Sequence, residues 1–451
     1  MTYQAAPYRA DASPADLARL VRLVVAMVAA TLVFVTFTPF PAATSSIATQ
    51  DANASGDIVN QIGYLGICGL ALAVLLTLSE RRRLIELVRW QWLLMGLILV
   101  WSLVQSAYPD LAMRGVIFTL VAMAIAASVV LLPKTEADFR LAFTTACAIV
   151  LIVSYFGVLF LPGSALHLET DAEGHSGLWR GIYSHKNFAG PVMAAIALYG
   201  IYLWRAGDRI AGVLITLAAA YFVIKTGSKT TAGFLPLSVM VVSLRRFFGS
   251  ARLVLVAHVC AVVLIAVLTI GSAFSPRIEA VTHTLIADTT FTGRDNIWEF
   301  GVHNLPEGLF SSYGFFGFWG TNVPLAQEED TSARWDVRYI VSGHTNFIDA
   351  IMSFGRVPGA ILVALLLLLP AFHYVRACRH PQNRRLADFF MMTVTLMGMI
   401  SALETFFFAR AMTTWLVFFI AVFGLSALAG RRAYWAQDHR VRPVVGLTFS
   451  K

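Results

Sequence analysis

Apolar residues in this chain gather into stretches of roughly 17 to 21 positions with hardly a charge, and this grouping limits the fold more than any other feature. A helix rises about 1.5 Å per residue, so such stretches match the ~30 Å hydrocarbon core of a bilayer. Hydrocarbon offers backbone N–H and C=O groups no partners, which leaves helices or closed barrels as spanning structures. The alternating apolar and polar decamers of a membrane barrel are absent, so helices are expected. Residue content agrees: 58% is hydrophobic and 13% charged, with a mean hydropathy of +0.70, far from an ordinary soluble domain.

Hydropathy predicts an all-α polytopic membrane protein of about twelve transmembrane helices. The spans are expected near Leu20–Phe37, Ile62–Ser79, Trp92–Ser106, Leu111–Leu132, Leu141–Leu161, Phe188–Trp204, Ile210–Lys225, Thr231–Leu244, Leu253–Gly271, Val357–Tyr374, Asp388–Leu403 and Ala411–Leu428. The eighth is short and contains Gly233 and Pro236, which suits a broken or partly re-entrant helix. The first lacks a following small-residue cleavage site and reads as a retained signal anchor. Five segments follow: a cytoplasmic tail at 1–19, spans one to nine at 20–271 with an outer loop at 162–187, a periplasmic loop domain at 272–355, spans ten to twelve at 356–430, and a cytoplasmic tail at 431–451.

The formal charge of +8 does not point to nucleic acid, because most arginines sit in short links between spans. Arg81, Arg82, Arg83, Arg140, Arg205, Arg245, Arg246, Arg376 and Arg384 all fall in alternate links, and both termini join that set through Arg19, Arg22, Arg431 and Arg432. The positive-inside rule then puts both termini in the cytoplasm and the loops at 162–187 and 272–355 on the outer face. The second loop exceeds ordinary connection length and is expected to fold, with Ile297, Trp298 and Val302 at helical spacing and an aromatic, glycine-rich run at 308–320. Cys68, Cys147 and Cys260 lie in apolar spans and Cys378 in a basic link, so neither a disulfide framework nor a zinc spacing emerges.

Four outer clusters can carry chemistry. The run Trp179–Asn187 holds Arg180, His185, Lys186 and Asn187 where the sixth span begins; the two cations can neutralise a diphosphate, with the helix dipole adding to them. The alternative is ordinary snorkelling of interface charge. Lys225–Thr231, including Ser228 and Lys229, is a polar break that lacks Walker A spacing but concentrates hydroxyls and cations where positive charge is disfavoured. Thr292–Trp298 carries Arg294 beside Asp295, a pairing that is commonly structural. Gly343–Asp349 returns the long loop to the membrane; its His344 is a candidate general base, with Asn346 close enough to fix the tautomer. Glu404 and Arg410 flank the last outer turn and are expected to pair with each other, with Arg410 a further candidate substrate contact.

Taken in order, Gly181 with His185-Lys186-Asn187, Ser228-Lys229, Gly293-Arg294 with Ile297-Trp298, and His344 with Asn346 resemble the O-antigen ligase and Wzy-type polysaccharide polymerase superfamily. The lysines at 186 and 229 look more like those of exopolysaccharide repeat-unit polymerases. The resemblance implies a bacterial inner-membrane glycosyltransferase with a periplasmic site, acting without metal or other cofactor on a polyprenyl-diphosphate-linked oligosaccharide. The acceptor would be a growing polysaccharide or a lipid, and a chain-length regulator and a flippase would be partners. His344 would be the base; Arg180, Lys186, Lys229 and Arg294 would stabilise the diphosphate; His185 and Asn346 would orient. A ligase acting on lipid A core is the nearest alternative, separable by its product. A lipid-linked oligosaccharide transporter is the next, separable by flux without covalent change.

Overall fold

The computed structural model describes residues 14–37, 58–79, 81–168, 175–286, 289–327, 335–409 and 412–430. Among them there is no strand, only an isolated bridge between Leu166 and Trp179. The longer helices are α1 (Pro14–Phe37), α2 (Ile58–Leu78), α3 (Trp90–Gln105), α4 (Pro109–Leu131), α5 (Glu136–Phe160), α6 (Lys186–Ala206), α7 (Arg209–Lys225) and α8 (Lys229–Phe248), followed by α9 (Ala251–Phe274), α10 (Pro276–Leu285), α11 (Arg294–His303), α12 (Asn346–Phe354), α13 (Arg356–Ala377), α14 (Arg384–Ile400) and α15 (Thr413–Ala429).

Eight of these, α1, α2, α4, α5, α6, α8, α9 and α13, are long and apolar enough to cross a membrane. The remaining expected spans coincide with α3, α7, α14 and α15, each of 16 or 17 residues. The eighth segment departs from expectation. It is a continuous 20-residue helix, α8, with Pro236 inside it. Pro236 forgoes the bond that an N–H would make to the carbonyl four residues back, and the helix continues past it; Gly233 faces open space. The tail at 431–451 and most of that at 1–19 lie outside the described residues.

Burial sorts the helices. The α14 residues from Leu386 to Ile400 are buried all round, as are those of α15 from Thr413 to Leu428. A helix surrounded on every side in this way is the centre of a bundle. Around this pair, α4, α6, α8, α9 and α13 pack directly. The α6–α7 hairpin is the closest helix contact: a Cβ on Gly200 would lie 2.4 Å from Thr216 Oγ1, and one on Gly212 would lie 2.4 Å from the Trp204 backbone nitrogen. Small residues let helices approach where lipid removes the hydrophobic drive for association. Within α13 the residues Ala364–Leu368 form a π turn, and His258 of α9 hydrogen-bonds both the Leu367 carbonyl (3.0 Å) and Thr395 Oγ1 (3.1 Å). That buried imidazole is thereby satisfied as a structural link between three helices.

The links rich in arginine are packed as well as charged. Asp388 of α14 accepts two bonds from Arg245 (3.1 and 2.6 Å) and one from Tyr374 (2.8 Å), with Arg205 3.7 Å away. At the opposite end of the bundle, the described residues that follow α9 form α10, α11 and α12, with a small core of Trp298, Phe318, Ile348, Met352 and Leu403. The predicted helix over 292–303 is α11, and the aromatic run is irregular chain, with Tyr313, Phe318 and Trp319 packed on that core.

Candidate active site

Four separate segments meet at this end of the bundle: the start of α6, the start of α11, the turn before α12, and the turn joining α14 to α15. Glu404 is their meeting point. Its Oε1 accepts from Arg294 Nη2 at 2.7 Å and from Asn187 Nδ2 at 3.1 Å. Its Oε2 lies 3.7 Å from His344 Nδ1, a charge contact too long for a hydrogen bond. Burial favours the neutral acid at Glu404, but Arg294 and then His344 outweigh it, and the carboxyl is held below its ordinary range. An anion thus sits between a mostly buried arginine and a partly exposed histidine.

Local sequence explains each placement. Gly293, in the left-handed region at φ 86°, starts α11 and delivers Arg294 as its first residue. Thr345 caps α12 by accepting from the Phe347 N–H, and just before it His344 takes φ 49°. A non-glycine residue in that region carries a conformational cost of about 1–3 kcal/mol, a feature that clusters at functional sites. Asn346 is buried, and its amide holds the α14–α15 turn: Nδ2 donates to the Glu404 carbonyl (3.0 Å), and Oδ1 accepts from the N–H groups of Phe406 (2.9 Å) and Phe407 (2.7 Å). Its expected role in orienting His344 is therefore revised. Asn346 orients the backbone that carries Glu404.

Lys186 and Lys229 begin α6 and α8, near enough that each feels the other's charge. Lys229 is exposed and Lys186 half-buried. Ser228 is buried and its hydroxyl bonds Thr231 Oγ1 at 2.9 Å, so it serves the first turn of α8 instead of a ligand. Arg180 bonds the Ser184 carbonyl at 3.3 Å within its own loop. Arg410, expected to pair with Glu404, lies outside the described residues.

The start of α6 differs from the anion site its sequence suggests. His185 is the N-cap, its Nδ1 accepting from the Asn187 N–H at 3.1 Å, while His167 Nε2 accepts from the Lys186 N–H at 3.1 Å. Two imidazoles thus occupy helix donors that a phosphate would otherwise use. The loop that brings His167 there is tied by His167 N–H to Leu178 O and Gly177 N–H to His167 O, each 2.9 Å. His175 completes a trio whose ring nitrogens lie within 4.8 Å of one another, close enough to consider a metal ion. The donor chemistry does not fit one as it stands. A ring nitrogen that accepts an N–H has its lone pair engaged and leaves the proton of a neutral imidazole on the other nitrogen, so while they hold the start of α6 neither His167 nor His185 has a lone pair to give an ion. Burial, then the neighbouring His167 and His175, push the His185 pKa down to about 4, which keeps it neutral as a cap.

Asp349, on α12, is a second carboxylate bonded to the α14–α15 turn. Burial raises its pKa against the pull of its donors, Thr405, Trp319 and Gly343. Sequence reading assigned no role to Asp349, His167 or His175, and took Glu404 for a partner of Arg410. The one available signal was Glu404 itself, the single charged residue in the turn at 401–409. No family model matches the chain, and no curated protein matches it.

Proposed function

We propose that this protein is a multi-pass inner-membrane glycosyltransferase of about twelve spans, with both termini cytoplasmic and the site facing the periplasm. It polymerises polyprenyl-diphosphate-linked oligosaccharide repeat units into a surface polysaccharide or exopolysaccharide. The observation that carries the reading is the convergence of Arg294, His344 and Asn187 on Glu404 from segments far apart in sequence, with Lys186 and Lys229 at neighbouring helix starts.

The chemistry follows from that arrangement. Glu404 holds negative charge facing His344 Nδ1, which favours the tautomer with its proton on Nδ1 and leaves Nε2 able to accept one, the logic by which a buried carboxylate orients a catalytic imidazole. His344 Nε2 takes the proton of an acceptor sugar hydroxyl as that oxygen attacks the anomeric carbon. The bond from the anomeric carbon to the diphosphate oxygen breaks, and polyprenyl diphosphate leaves with its electron pair. Arg294, Lys186 and Lys229, with Arg180 nearby in the loop, offset the charge that develops on the leaving group. A single displacement inverts the anomeric centre.

His344→Ala and His344→Gln, expressed in a strain whose surface polysaccharide depends on this protein, test the assignment. Loss of long polymer with unchanged protein level is expected. Normal polymer length in both variants would overturn the base assignment.

A further inference from the structure

Asp349 touches none of the groups assigned to the substrate, yet it binds the two turns that carry His344 and Glu404. Its carboxylate accepts from the Gly343 N–H through both oxygens (3.0 and 3.1 Å), from Trp319 Nε1 at 2.7 Å and from Thr405 Oγ1 at 2.5 Å. Gly343 immediately precedes His344, and Thr405 immediately follows Glu404. One carboxylate therefore ties the strained histidine turn to the glutamate turn, with a tryptophan of the outer aromatic run as a third anchor. The structure assigns Asp349 the role of positioning residue that holds His344 in register with Glu404, an assignment that rests on the reaction proposed above.

Two further observations support it. A Cβ on residue 343 would lie 2.5 Å from Asp349 Oδ1, so glycine is needed there for the backbone N–H to reach the carboxylate. Asn346 and Asp349 are three residues apart, hence on one face of α12, and both grip the 401–408 turn: Asn346 takes the Phe406 and Phe407 N–H groups, Asp349 the Thr405 hydroxyl. That face of α12 fixes where Glu404 stands, and the same carboxylate fixes where His344 stands. A half-buried carboxylate accepting from three segments makes their geometry interdependent, because losing it strands several donors at once.

The test uses the purified full-length protein with a lipid-linked repeat unit and the variants Asp349→Asn and Thr405→Val, each alone and combined with His344→Gln. Asp349→Asn keeps the size of the side chain and avoids the unfolding risk of alanine. It is expected to lower kcat roughly tenfold or more while KM stays within about twofold, and Thr405→Val to have a smaller effect in the same direction. In the His344→Gln background Asp349→Asn should cause no further loss, since residues acting as one unit are not additive. An equal fold-loss in both backgrounds, or a loss confined to KM, overturns the assignment. If His344→Gln alone leaves the rate unchanged, the base reading fails, and amide hydrogen exchange then decides on Asp349. Asp349→Asn should speed exchange in 340–346 and 403–408 together, and unchanged exchange in either segment overturns the positioning role.

Discussion

Replacing Glu404 by Gln changes one charge at the point where four segments meet, and the structure indicates what that change does. The amide oxygen of Gln can still accept from Arg294 and Asn187, which approach Oε1 at 2.7 and 3.1 Å. The amide NH2 then faces His344 Nδ1, 3.7 Å away in the native protein. A donor at that place selects the tautomer with its proton on Nε2, the nitrogen that has to accept one. The comparable carboxylate-to-amide change in a serine-protease triad lowers kcat by about 10⁴. The longer contact here makes about 10²- to 10⁴-fold the expected range, or ~3–5 kcal/mol at 1.36 kcal/mol per decade. The assay is single-addition kinetics with a lipid-linked repeat and a defined acceptor, with thermal unfolding in detergent as a control for folding. The loss should fall on kcat, because Glu404 faces the base rather than the open side of the site. A Glu404→Gln protein with native unfolding temperature and a kcat within about threefold of wild type would refute the reasoning.

The remaining predictions concern pH, packing and metal. The Glu404 pKa is depressed, so its contribution to stability is present above the ordinary value of 4.5 and lost only as pH falls through the lower folded value; stability measured between pH 5 and 8 should carry no slope from it. His185 has the same sign in a higher window: its folded pKa of about 4 lies below its ordinary 6.5, so the unfolded state binds a proton first and stability declines as pH falls from 6.5 towards 4. His185→Asn, which can still cap α6, should flatten that part of the curve of unfolding temperature against pH, and an unchanged slope would remove His185 as its source. Asp388→Ala should destabilise the bundle by about 3–5 kcal/mol by stranding Arg245, read as a fall in folded yield and unfolding temperature; a variant as stable as wild type would show the network to be dispensable. Transfer by purified protein should persist in EDTA, and abolition by chelation with recovery on adding a divalent ion would contradict the cation-stabilised mechanism and return the His167, His175 and His185 trio to consideration as a metal centre.

Helical class and approximate span positions are readable from the chain because they depend on local composition: an apolar run of sufficient length has one economical structure in lipid, whatever its neighbours. The same holds for the start of α11 at Gly293-Arg294, marked by nearby residues. The continuity of α8 through Pro236 was not readable, because a proline removes one bond from a helix and the residues around it do not say whether the remaining bonds carry the helix past it. Pairing was not readable either. Glu404 and Arg294 are 110 positions apart, Asn187 and Glu404 217 apart, and only the packing of α6, α11 and α12 about the α14–α15 turn brings them within bonding distance. His185, expected from the sequence to orient substrate, is the cap of α6, and His167, to which the sequence reading gave no role, accepts from the Lys186 N–H beside it. Sequence determined which residues stand at the ends of helices, since hydropathy is local. Tertiary structure decided which of them face one another, since a charge acquires its partner only when the backbone around it is fixed.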